Sequence, residues 1–360
     1  MAKLVWPCRV FSGIQAHAHA SVGMAPACFL TNNDSRHVAS TSSYTLAFKR
    51  SGDLSPRECE QIRDLFGRVF GKERSPDYFQ RKYRDAPLGG AYHALCLDGD
   101  SIIAASTALP YRYRYFGKET VFALRVDVMV DAKYRGSPFR VKKMAQLVDD
   151  ALVRDGIPFV FGFPNLNAWE YERRVIQTRD IGELDYYVLP RNIGALLASA
   201  RPLNRVSRLA SHVLAHWPAR RSPAAWDAPI EKIADAAFES HRYDGSYRTL
   251  SLEGGATCTY RTYQEEGGAR ATYLVDVAPL GPWSFAQAVS RVYREAASAT
   301  DVLLYVGHLP FRPARMLRVP VSRRPQQVRM TGKILIPELI DQRVFSLENW
   351  NVNLSNFDVR

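Results

Sequence analysis

The sequence predicts a mixed α/β fold, a central mixed sheet flanked by helices, followed by a second half of related build. Three observations carry this. From residue 44 to 190, strand and helix signals alternate in the order β-α-α-β-β-β-α-β-α-β, which winds helices around one sheet. After Asp227 part of that order recurs. At 360 residues, with 46% hydrophobic and 23% charged residues, the chain is long enough for two ordinary domains and has the composition of a folded one.

The elements follow in order. Tyr44–Phe48 reads as a strand. Ser55-Pro56 with Glu58 is a capping box at the start of a helix. Ile62, Leu65, Phe66 and Val69 are its apolar stripe, and Gly71 is its stop. Ser75-Pro76 opens a short helix through Tyr83. Tyr92–Leu97 and Ile102–Leu109 form a hairpin across Asp98-Gly99-Asp100. Tyr111–Tyr115 alternates Tyr with Arg, and Val121–Val130 is a further strand. Ser137 and Pro138 begin a helix reaching about Arg154, with Val141, Met144, Leu147, Val148, Ala151 and Leu152 on one face. Ile157–Gly162 is a buried strand, a helix follows Asn165, and Leu184–Leu189 closes the set.

Residues 191–226 hold six arginines (Arg191, Arg201, Arg205, Arg208, Arg220, Arg221) and no acidic residue. Val206, Leu209, Val213 and Trp217 line one face of a helix there. Such a helix either lies on anionic lipid or packs between two domains. Beyond it the sequence predicts a helix at Ile230–Phe238 and strands at Cys258–Tyr263 and Ala271–Val277. A helix from Ser284 to about Ala297, a strand at Val302–Gly307 and another near Lys333–Ile336 complete the chain. The pair Cys258–Val277 reads as the counterpart of Tyr92–Leu109. The expected organisation is a tail (1–43), disordered or an overextended start with Met24 as an available initiator, then a first domain (44–190). A basic helical linker (191–226) and a second related domain (227–360) follow.

Composition narrows the function classes. The formal charge of +12 suits an anionic partner, although a basic solvated surface would give the same balance. No apolar run is long enough to span a bilayer. The five cysteines are scattered, odd in number and never in a CxxC pair, which fits a reduced cytoplasmic setting without a zinc site. His17 and His19 sit in the tail and read as part of it rather than as metal ligands. No nucleic-acid-binding module is recognisable, so nucleic acid is not an expected partner.

The chemistry is concentrated in one stretch. A strand that feeds a glycine turn and then a helix aims backbone N–H groups and the helix dipole at an anion. Val128-Met-Val-Asp-Ala-Lys-Tyr-Arg-Gly136 has that layout, and Gly162-Phe-Pro-Asn165-Leu-Asn-Ala168 supplies the next strand and helix. Asp127, a charge set between Val126 and Val128, needs either a partner or a task. A structural pairing with Arg125 or Arg114 and a role as general base are both open. Tyr111, Arg112 and Tyr113 could line an acceptor groove suited to sugar rings, or form an exposed strand face.

These motifs resemble the GNAT N-acetyltransferases, in which a strand runs into a Tyr-Arg-Gly turn that holds acetyl-CoA. More narrowly, Phe66–Lys72, Lys82-Tyr83, Trp350 and Asp358 are similar to positions in tandem-GNAT proteins encoded with bacterial polysaccharide biosynthesis. The resemblance spans about residues 44–358. It implies acetyl-CoA as acyl donor and no metal. It implies cofactor contacts at Val128, Val130, Arg135, Gly136, Ser137, Phe139, Arg140 and Asn165, with Asp127 as base and Tyr171 as proton donor. The implied acceptor is an amine on a small-molecule or lipid-linked sugar. The implied location is cytoplasmic, with peripheral contact to an anionic inner membrane through 191–221. Two alternatives are an aminoacyl-tRNA-dependent transferase of the peptidoglycan-bridge type and a non-catalytic, degenerate partner protein. The glycine turn departs from the family pattern: Pro138 and Arg140 stand where small residues are usual. In the second half, Ala278-Pro-Leu-Gly-Pro-Trp283 is a poor phosphate cradle, so that half is expected to support the fold or the acceptor site.

Overall fold

The computed structural model describes residues 44–357 apart from 197, 222–224 and 266. The readings of the N-terminal tail, with His17 and His19, and of Asp358 lie outside the described residues.

The first part contains β1 (Thr45–Arg50), α1 (Pro56–Phe70), and α2 (Pro76–Phe79), which widens into a π-helical turn at Gln80–Arg84. Then come β2 (Tyr92–Asp98), β3 (Ser101–Tyr115), β4 (Lys118–Val130), α3 (Pro138–Arg154), β5 (Phe159–Gly162), and α4 (Leu166–Tyr171), extended through Ile176. β6 (Arg179–Glu183) and β7 (Asp185–Pro190) end it. The signals at α1 act as read: Ser55 accepts from the Glu58 amide, Glu58 reaches back to the Ser55 amide, and Gly71 closes the helix in the left-handed region. The strand expected at Leu184–Leu189 is β7, shifted by one residue, whereas β6 at Arg179–Glu183 was not expected.

The remainder holds α5 (Ile193–Leu196), α6 (Asn204–Ala215), β8 (Ile230–Lys232), α7 (Ala236–Arg242), β9 (Arg248–Ser251), β10 (Thr257–Gln264) and β11 (Arg270–Ala278). It continues with α8 (Pro282–Glu295), β12 (Val302–Gly307), β13 (Leu317–Arg318), β14 (Arg329–Ile334) and β15 (Trp350–Asn351). Ile230 does not begin a helix. Ile230–Lys232 pairs with the end of β3, and the helix starts only after Asp235, whose side chain accepts from the Phe238 amide.

The expectation of one sheet for the first part is corrected by the topology. One sheet runs β1-β2-β3-β4-β5-β14-β6 and the other β9-β10-β11-β12-β7-β13. Each contains a single parallel pair on this path, β4 with β5 and β11 with β12, flanked by antiparallel ones. The two sheets therefore share a strand plan, and each takes one strand from the other part of the chain. β7 leaves the first sheet to pair with β12, and β14 fills the place between β5 and β6. By this plan β10–β11 corresponds to β3–β4, not to the Tyr92–Leu109 hairpin. Arg324 fastens the crossing point, bonding Glu183 at 2.7 Å and also Asp185. Gly332 lets β14 seat, since a Cβ there would stand 2.3 Å from the Phe159 ring.

One apolar core lies between the sheets and under α1, and smaller ones lie beneath α3 and α8. Trp350 sits fully buried at the centre of the large core. Its ring is within 6.0 Å of Tyr113, Phe122, Phe159 and Phe161, and its N–H donates to the Val344 carbonyl at 2.8 Å. The aromatic packing offsets the entropy of ordering a long C-terminal segment against both sheets. Among the described residues no helix is long and apolar enough to cross a membrane.

Candidate acyl-transfer site

The site begins where two parallel strands part. β4 and β5 pair from Phe122↔Phe159 to Arg125↔Gly162, after which β5 turns off towards α4 while β4 runs on to Val130. At the parting point β4 bulges. Ala105 faces Met129 and Thr107 faces Val126, so Asp127 and Val128 together oppose Ser106. Asp127 takes φ 47°, a left-handed conformation that a short acidic residue tolerates better than most.

The bulge turns Asp127 towards the face covered by α1 and α2. Lys82 Nζ lies 2.5 Å from its Oδ2, and the Tyr83 hydroxyl donates to the same oxygen. Both members of the ion pair are buried. The ammonium also stands 5.1 Å from the Tyr83 ring centre and 5.6 Å from that of Tyr78. Burial first, and then the Asp127 charge, hold the Tyr83 phenol well above its ordinary pKa, so it remains a donor. Among the described residues no donor reaches Asp127 Oδ1. The pairings considered with Arg125 and Arg114 do not occur. Arg125 bonds Asp149, and Arg114 lies near Asp227 and Glu231.

The second sheet has a parallel arrangement with a different outcome. Asp276 on β11 pairs with Lys232 at 3.0 Å and accepts from the Tyr243 hydroxyl at 3.2 Å. Its other oxygen, Oδ1, is taken by Asn353 Nδ2 at 2.9 Å and by the Val277 amide at 3.0 Å. That carboxylate is saturated, so it serves the fold.

Beyond the notch, on the opposite face, lies the start of α3. Val128, Val130 and Tyr134 pack with the core beneath that helix. Gly136 has φ 112°, and a Cβ there would meet nothing within 4 Å, so the turn is open to solvent. Ser137 holds the N-cap position but forms no side-chain cap, contrary to its reading as a cap. Pro138 and the exposed Phe139 follow it. Arg135 and Arg140 curl back onto carbonyls of their own turn, Val130 at 3.2 Å and Tyr134 at 2.5 Å. Arg140 also covers the Tyr44 ring. The Tyr171 hydroxyl donates to the Pro138 carbonyl at 2.7 Å, and burial pushes its phenol up to about 12. Asn165 caps α4 through the Ala168 amide at 2.9 Å.

The expected catalytic pair is thus divided by the sheet: Asp127 lies on the α1–α2 face and Tyr171 on the α3 face. Of the three expected acceptor residues, two belong together. Tyr111 and Tyr113 face a pocket between the two parts of the chain, which Tyr78, Lys82, His241 and Tyr247 also line. Arg112 lies on the other side of β3 by strand alternation, paired with Asp235 at 2.7 Å and Glu119 at 2.8 Å. Contrary to expectation, Arg112 does not line the pocket with Tyr111 and Tyr113. Lys82-Tyr83 is adjacent to nothing in sequence that gives it a role; only the fold brings the pair to Asp127.

Behind this network, His93 is fully buried between Ser51 and Thr107, at 2.9 Å and 3.1 Å. Burial, aided by Arg50 and Lys82, lowers its pKa to about 3. The unfolded chain therefore binds a proton below pH ~6.5 that the folded chain refuses, and stability must fall as pH drops from there. The limiting slope is about 1.4 kcal/mol per pH unit, best read between roughly pH 6 and 4.5, above most carboxylate titrations. Urea midpoints across that range should flatten in His93→Gln. An unchanged slope would exclude His93 as the source.

The fold is the one seen in GNAT acyltransferases. Residues 52–174 match the acetyltransferase (GNAT) domain model. No curated protein matches the sequence. Three solved structures share the fold across 81% of this chain. A conserved protein of Enterococcus faecalis V583, described as a probable N-acyltransferase, aligns at TM-score 0.55 and 12% identity over 73% of its length. A GCN5-related N-acetyltransferase from Kribbella flavida aligns at 0.53 and 13% over 71%, and one from Anabaena variabilis ATCC 29413 at 0.51 and 11% over 73%.

Proposed function

We propose that this protein is an acyl-CoA-dependent N-acyltransferase, with acetyl as the acyl group and an amino sugar of polysaccharide biosynthesis as acceptor. Asp127 carries the reading: one carboxylate oxygen is clamped by Lys82 and Tyr83, and the other is left without a donor where β4 and β5 part. An amine attacking a thioester must lose a proton, and a fixed carboxylate oxygen at that opening is placed to take it. Tyr78, Tyr111 and Tyr247 line a narrow aromatic pocket on the Asp127 side of the sheet, and the second part of the chain supplies one of its walls.

The α3 turn has the features a pyrophosphate needs. Gly136 is open, the helix is uncapped, and Arg135 and Arg140 stand beside it. Pro138 removes one N–H donor, so the grip relies more on the helix dipole and on these cations. When bound there, acyl-CoA supplies the acyl group that moves from sulfur to nitrogen. Tyr171, protonated at neutral pH, lies beside the turn to hold a proton for the departing sulfur. The two roles fall on opposite faces of the sheet, which keeps acceptor and donor apart until they meet in the notch.

Acetyl-CoA at a hundred times its Kd should stabilise the protein by about 2.7 kcal/mol. Differential scanning fluorimetry with acetyl-CoA and longer acyl-CoAs checks this, paired with thiol release over a panel of amino sugars. No shift with any of them would reject the enzyme reading and favour a non-catalytic protein. A shift without turnover on amino sugars would reject only the acceptor.

A further inference from the structure

We propose that α6 and the segment after it form a docking surface for an anionic lipid membrane. The helix is fixed to the protein by one face only. Ser211 bonds the Tyr293 hydroxyl at 2.9 Å, Ala215 is fully buried, and Ser290 bonds the Ala215 carbonyl, so α6 lies on α8 through its small residues. The opposite face is apolar and faces solvent. Val206 and Leu209 are 64% and 67% exposed, and Leu203, Val213 and Trp217 extend the row. At 100° per residue Val206, Leu209 and Val213 fall on one side of the cylinder, away from Ser211 and Ala215, and Leu203 and Trp217 stand just beyond its two ends.

The surroundings select the occupant. Arg201, Arg205, Arg220 and Arg221 flank the row and form no ion pair among the described residues, and 191–226 contains no acidic residue. An apolar face with Trp at its end and a uniformly basic margin matches the boundary of an anionic bilayer: alkyl chains take the row and headgroups take the guanidiniums. A second copy of this chain would set the same arginines against each other, so self-association is disfavoured by charge. The helix packs between no two domains through this row; it packs through its back.

The test uses the full chain with vesicles of phosphatidylcholine alone and with about one third phosphatidylglycerol. Co-sedimentation should favour the anionic vesicles by at least about tenfold and weaken in high salt. Leu209→Asp with Val213→Asp should abolish it, and Arg205→Glu with Arg220→Glu should remove the preference for anionic lipid. All four sites are exposed, so the melting temperature should hold. Brominated lipid should quench Trp217, and the quenching should diminish in Trp217→Phe. Wild-type protein left in the supernatant, or variants that bind like wild type, would overturn the proposal. So would a concentration-dependent dimer, abolished by the same aspartates, without vesicle binding.

Discussion

Gly136→Glu should abolish acyl-CoA binding. The turn at Gly136 is open, so the added side chain has room, but its carboxylate would stand where a pyrophosphate must sit. Two like charges about 4 Å apart near a protein surface repel by about 4 kcal/mol, roughly a thousandfold in affinity. Part of the effect could come from backbone strain, because φ 112° is a glycine conformation. Ser137→Glu separates the causes. Ser137 is exposed and makes no cap bond, and a glutamate at a helix N-terminus favours the dipole, so the fold is kept while the repulsion remains. The control belongs at the start of α8. Gly281 is buried and would disturb packing, whereas Pro282 is exposed, so Pro282→Glu should leave binding intact. Isothermal titration of the three variants decides. Binding retained in Gly136→Glu, or lost in Pro282→Glu alone, would move the donor site to the other sheet.

Asp127→Asn should lower turnover by roughly a hundredfold or more if its free oxygen takes the amine proton. It should also destabilise the protein, since Lys82 would be left as a buried charge without its partner, at a cost of about 3–5 kcal/mol. A loss of activity alone would therefore be ambiguous. Lys82→Met combined with Asp127→Asn removes both charges and should recover most of the stability, because the end of the lysine side chain already lies among the Phe66, Tyr78 and Tyr83 rings. Turnover should stay low in the double variant. Thermal melts and steady-state rates on the same samples read both quantities. Recovery of rate together with stability would make Asp127 a structural residue only, like Asp276.

The local elements were legible because their causes are local. Ser55, Glu58 and Gly71 start and stop α1 by hydrogen bonds within a few residues. The 3.6-residue stripe of α3 and the continuous buried run of β11 needed nothing from elsewhere in the chain. The glycine turn after β4 was visible for the same reason. Short elements failed where a distant partner decides. Ile230–Lys232 is a strand because β3 offers an edge, and nothing in those three residues says so.

The sequence by itself therefore determined the two α/β patterns, the open turn at Gly136 and the presence of a charge at Asp127. Tertiary structure decided what that charge does. Lys82 and Tyr83 stand over forty positions away in sequence, and only the β4 bulge and the widened turn after α2 bring them to Asp127. It also decided which strand belongs to which sheet. β7 (Asp185–Pro190) and β14 (Arg329–Ile334) carry no local signal that says which sheet each joins. The exchange is selected by contacts remote in sequence: Arg324 on Glu183 and Asp185, Gly332 against Phe159, and Trp350 between the layers. Strand pairing depends on which edge is within reach once the core has closed, a property of the whole chain and not of any window of it.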